Sequence, residues 1–78
     1  MIAEKTAQEI AKEIQKELTE KGYPVKVSFI EPKEGADIGI KLQIGVPRDW
    51  ELEKKIGLTV WSILDKHGLI AFIEKKWS

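Results

Sequence analysis

The chain contains no cysteine. That removes a disulfide framework, a thiolate metal site and a thiol nucleophile together, and it fits a reducing compartment without requiring one. Asparagine is also absent, while arginine and histidine occur once each, as Arg48 and His67. Acid–base or imidazole–metal chemistry therefore has a single residue to pass through. Thirteen basic and thirteen acidic residues cancel, so no global field draws in nucleic acid, an acidic membrane or a charged substrate. The longest apolar runs are short and strand-like, and the N-terminal stretch reads as an amphipathic helix, so neither a transmembrane span nor a secretory signal is expected. These absences point to a cytoplasmic protein with no membrane partner and no cofactor.

Lys and Glu supply nearly all the charge, and Ile is the commonest apolar residue. That balance is found in heat-stable proteins. It is equally what a designed scaffold without biological function would show. Against design stand Gly39, Gly45 and Gly57 inside regular elements and the presence of three Trp, choices that idealised chains avoid. The length of 78 residues makes one domain, residues 1–78, near the size at which a single core only just offsets folding entropy.

The stretch Gly35 to Val46 organises the remainder. Ile38, Ile40, Leu42, Ile44 and Val46 alternate with Gly39, Lys41, Gln43 and Gly45, which predicts a strand with one buried face. Before it, Ile2, Ala3, Ala7, Ile10, Ala11, Ile14 and Leu18 recur every three or four residues and predict a helix over 2–21. Its other side carries Lys5 with Glu9 and Glu17 with Lys21 four apart, pairs worth roughly 0.2–0.5 kcal/mol each on an isolated helix. Those charges read as a solvated face. Gly22 is expected at the left-handed position that closes the helix, with Pro24 preventing its resumption. Val25, Val27 and Phe29 alternate with Lys26 and Ser28 in a first strand, and Pro32 to Gly35 turn it back in an antiparallel hairpin.

Asp49 is the expected N-cap of a second helix, with Glu51 and Glu53 in its electropositive first turn. Leu52, Ile56, Val60, Ile63 and Leu64 form its inner stripe. Trp50, Gly57 and Trp61 lie on one flank of that stripe, read as core packing at a helix edge, with an aromatic anchor for a partner as the sharper alternative. Lys66, His67 and Gly68 repeat the ending of the first helix. The last strand, Leu69 to Trp77, is apolar on both sides at first: Leu69, Ala71 and Ile73 point one way, Ile70 and Phe72 the other.

These elements predict an α+β two-layer sandwich of order αββαβ, with two helices on one face of a three-stranded mixed sheet. The expected sheet order is 2-1-3, with 1-2-3 as the alternative, and the last strand parallel to the second. Apolar strand surface then exceeds what two helices on one face can hide. The preferred function is a non-enzymatic interaction module, self-associating or binding another protein through Ile30, Ile70, Phe72 and Trp77. A second reading is a nucleic-acid-binding face of Lys26, Lys41, Lys75 and Lys76.

Catalysis finds little support in the residue pattern. Ser62, Asp65 and His67 supply triad residue types, but their spacing does not place the imidazole between hydroxyl and carboxylate. His67 reads instead as a helix-terminal cation. Gly35, Gly39 and Gly45 fall at strand spacing with no Gly-Lys-Ser or Gly-Lys-Thr after them, so no phosphate loop is present. Arg48 stands beside a helix start that could receive an anion, a role Asp49 fills if it caps the helix. The order helix, strand, strand, helix, strand resembles type II KH domains, which bind RNA or mediate contacts. It is also similar to iron–sulfur scaffold domains, whose cysteines this chain lacks. The KH signature is a Gly-x-x-Gly turn between two helices, whereas Gly57 stands alone inside one predicted helix, so that family's RNA-contacting residues do not transfer.

Overall fold

The computed structural model describes residues 3–78. Ile2, which the spacing places on the first helical stripe, lies outside them. The elements are α1 (Glu4–Glu20), β1 (Val25–Ile30), β2 (Ile38–Ile44), α2 (Trp50–Lys66) and β3 (Ala71–Trp77). Their order makes the protein α+β, and β3 begins two residues later than the sequence suggests. Both helices end where the glycines predict: Gly22 and Gly68 adopt φ of 79° and 67°, left-handed values that cost a side-chain-bearing residue a steric clash. At the start of α2, Asp49 Oδ1 accepts from the N–H groups of Glu51 at 2.9 Å and Leu52 at 3.4 Å.

The sheet order is β1-β2-β3. This corrects the expected 2-1-3, which put β1 in the middle. The physical reason lies in how much apolar surface each strand has to hide. Three of the largest fully buried side chains, Ile38, Ile40 and Leu42, belong to β2, each contributing about 1.5–3 kcal/mol relative to exposure. In β1 only Val25 is buried, while Val27 and Phe29 are half-buried. The strand with most to bury takes the position flanked on both sides.

β1 and β2 pair antiparallel, with Val25 opposite Ile44 and Ile30 opposite Gly39. β2 and β3 pair parallel, with Ile38 opposite Ala71 and Ile44 opposite Trp77. Reading across the three strands, Phe29, Ile40 and Ile73 form one row on the side of the core, and Ser28, Lys41 and Glu74 form the next row on the reverse side. The core itself is one cluster. Ala7, Ile10, Ala11, Ile14 and Leu18 of α1 and Ile56, Val60, Ile63 and Leu64 of α2 meet Val25 and the inward residues of β2.

Candidate interaction surface

The residues nominated from the sequence separate into three places. On the reverse side of the sheet, Ile30, Gly39 and Phe72 form one row. Ile30 and Phe72 are only half-buried and Gly39 is buried, because the chain leaving β1 passes over that corner. A Cβ on Gly39 would stand 2.4 Å from the Ile30 carbonyl oxygen and 3.0 Å from that of Glu31. The Lys33 ammonium lies 5.2 Å from the centre of the Phe72 ring, a cation–π distance. The apolar corner is thus partly covered by its own turn.

Trp77 lies elsewhere. Its register opposite Ile44 puts it on the core side, where it is half-buried against the cluster. Lys75 shares that side and reaches Glu53 of α2 at 3.7 Å. Lys26, Lys41 and Lys76 do share the reverse side, but Glu74 stands between Lys41 and the sheet edge, and the aromatic ring on that side is Phe72, which Lys33 covers. A base-stacking platform needs a free ring face beside the positive charge. The helix α2 runs unbroken through Gly57, so it offers no Gly-x-x-Gly turn.

Ile70 occupies the third place. It lies in the connection just before β3 and is 66% exposed. Asp37 fixes the backbone there: its carboxylate accepts the Ile70 N–H at 2.9 Å, while the Ile70 carbonyl accepts from the Asp37 N–H at 2.7 Å. Two hydrogen bonds thus tie the backbone to Asp37 while the side chain stands in water. Beside it, Trp61 is 63% exposed and Trp50 75%, which corrects the expectation that these rings complete the core. Trp61, Ile70 and Asp65 border a shallow groove of about 300 Å³ that Leu64, Leu69, Ala71 and Ile73 also line. The opposite flank of α2, with Leu58, Ser62 and Lys66, faces α1. Trp50, Gly57 and Trp61 therefore project on the side of β3, with open space around Gly57.

The backbone of β3 adds to this groove. The Ile70 carbonyl bonds to Asp37 and Ile38, and the Ser78 N–H donates to the Val46 carbonyl at 3.2 Å, so the even-numbered residues turn their peptide groups toward β2. Ala71, Ile73, Lys75 and Trp77 then turn theirs outward, since successive residues alternate. Among the described residues no side-chain hydrogen bond meets that outer edge.

The remaining polar clusters have structural partners. His67 Nε2 lies 3.0 Å from Glu13 Oε1, and the Lys66 ammonium donates to the other oxygen of the same carboxylate. The Lys66 hydrogen bond first, and that of His67 second, hold the Glu13 carboxyl below its ordinary range. This is a clasp between α1 and the end of α2, with Asp65 and Ser62 outside it. Arg48 pairs with Glu53 at 3.2 Å, and the start of α2 is filled by Asp49. Another groove, about 640 Å³, is lined by Gln15, Lys26, Gln43, Lys76 and Trp77 among others, with no Asp, Glu or His side chain. No helix among the described residues is long and apolar enough to cross a membrane.

The chain matches no family model, no curated protein and no solved structure.

Proposed function

We propose that this chain is a non-enzymatic self-association module, working in the cytoplasm as a two-layer domain whose contact surface is the outer edge of β3 with the adjoining flank of α2. One observation carries the reading. Trp61 and Ile70, 63% and 66% exposed, line one mainly apolar groove, with Asp65 as its charged member, beside an unpaired strand edge. Exposed apolar side chains scattered singly need no explanation, but two that line one groove beside free backbone donors and acceptors mark a contact site. Strand addition supplies the backbone hydrogen bonds, and the indole supplies buried area of the kind that dominates interface energetics. Glu74, Lys75 and Lys76 restrain indiscriminate aggregation at the same edge.

Sedimentation velocity across the micromolar range tests the reading. The chain of 8.9 kDa is expected to approach twice its mass. Trp61→Glu is expected to sediment as a monomer while melting close to the parent, because its side chain lies outside the core. A parent chain that stays monomeric throughout the range overturns the proposal.

A further inference from the structure

We infer that the edge is completed by a second copy of this chain added antiparallel to β3 about a twofold axis through Lys75, giving a continuous six-stranded sheet whose register is set by Glu74 and Lys76. This rests on the self-association reading above and specifies its geometry.

The register follows from which residues can stand opposite one another. Directly opposed residues in an antiparallel pair have the same hydrogen-bonding direction and share a face. An odd-numbered residue of β3 must therefore meet an odd-numbered residue of the partner. The symmetric arrangements then differ sharply in charge. An axis at Glu74 opposes Glu74 to itself and sets Phe72 against Lys76. An axis at Ile73 sets Phe72 against Glu74 and Ala71 against Lys75, and one at Lys76 opposes that lysine to itself. Only three residues of each β3 pair when the axis passes through Phe72, because Ile70 and Gly68 lie outside the strand.

An axis at Lys75 makes two Glu74–Lys76 pairs on the reverse face and two Ile73–Trp77 pairs on the helical face. Opposite charges and aromatic–aliphatic pairs are the favourable cross-strand partners. The cost is Lys75 against itself, and there each ammonium has Glu53 of its own α2 at 3.7 Å. The same axis turns the α2 flanks of the two copies toward one another about the level where Lys75 meets Glu53, so that Trp50 of one copy comes level with Gly57 of the other. The notch at Gly57, where a methyl in place of the glycine hydrogen would meet nothing within 4 Å, gives the partner's indole room.

The absence of cysteine makes the test clean. Single cysteines are placed in turn at positions 71 to 76 of the full chain and oxidised mildly. The Lys75→Cys variant is expected to give the dominant disulfide dimer, because its two copies face each other within reach of a bridge while Glu74→Cys does not meet itself. Glu74→Lys and Lys76→Glu are each expected to weaken association roughly tenfold, with the double exchange restoring it. A dimer by sedimentation whose cross-linking peaks at 72 or 73 overturns this register and leaves self-association standing. A dimer that cross-links nowhere along β3 overturns the edge itself, and a chain that is monomeric overturns both proposals.

Discussion

The two edges of the sheet carry similar backbone and are treated in opposite ways. Along β1, the Gln15 side chain of α1 behaves as a surrogate peptide: its Nε2 donates to the Val25 carbonyl at 2.9 Å, and its Oε1 accepts from the Val27 N–H at 2.8 Å. A neighbouring strand would use those same two groups. Beyond them the chain bends over Gly39 and leaves the plane of the sheet, so β1 offers little straight template. Along β3 there is no such carboxamide and no such bend, and Trp61 and Ile70 stand in water beside the edge. The contrast teaches that solvent exposure at β3 is not a general property of small sheets with too little chain to cover them. One edge of this molecule is closed by a specific side chain, and the other is left with apolar walls.

The largest effect is expected where β1 crosses the central strand. In Gly39→Ala the added methyl meets backbone oxygens at 2.4 and 3.0 Å, which no rotamer change relieves, so the end of β1 has to lift away. Overpacking of this kind costs roughly 1–3 kcal/mol, and a backbone obstacle places it at the upper end. Urea denaturation should show that loss, together with faster exchange of the Ile30 amide. The same substitution at Gly57, in open space on α2, is expected to raise stability by about 0.8–1 kcal/mol. Equal effects at the two glycines would mean that the crossing over Gly39 is not a tight contact.

Next in size is the opening of the closed edge. Gln15→Ala leaves the Val25 carbonyl and the Val27 N–H without their partner in a half-buried setting, at an expected cost of about 1–2 kcal/mol. The sharper consequence is on association. With both edges open, the chain should pass from dimers to higher oligomers as concentration rises, visible by light scattering. Gln15→Glu separates the two bonds, because it keeps an acceptor for Val27 and loses the donor to Val25. If Gln15→Ala remains a dimer at all concentrations, the carboxamide is not what keeps β1 from pairing.

Much of this architecture was legible in the chain. The alternation from Ile38 to Ile44, the helical stripes, Asp49 as a cap and the left-handed glycines are local patterns, each set by residues a few positions apart. The crossover through α2 correctly made β3 parallel to β2. Strand order was harder, since a hairpin followed by a crossover is compatible with either neighbour, and only the comparison of burial in β1 and β2 separates the two. Trp77 shares the parity of Ala71 and Ile73, so its place on the core side was readable from alternation. The Trp50 and Trp61 rings were not, because on a helix they lie next to Leu64 at the margin of the inner stripe, where spacing does not distinguish cover from exposure. Gln15 gave no signal at all: its partners are ten and twelve residues away on another element.

The smallest expected effect concerns the clasp far from either edge. Glu13 is bound by Lys66 and His67, and its carboxyl is held below the ordinary value of 4.5 by the Lys66 hydrogen bond first and that of His67 second. A carboxyl with a lowered folded-state value binds its proton more readily when unfolded. Its contribution to stability is therefore full above pH 4.5 and declines as the pH falls through the folded-state value. The Glu13 side chain is 32% exposed and Lys66 63%, so water and salt screen the pair and its worth is under about 1 kcal/mol. Glu13→Gln should lower stability by that amount at neutral pH and converge with the parent in acid, with the gap narrowing in high salt. Because the clasp joins α1 to the end of α2 and touches neither strand edge, the variant should dimerise as the parent does. A loss of dimer in Glu13→Gln would tie the position of α2, and with it the Trp61 wall, to this one carboxylate.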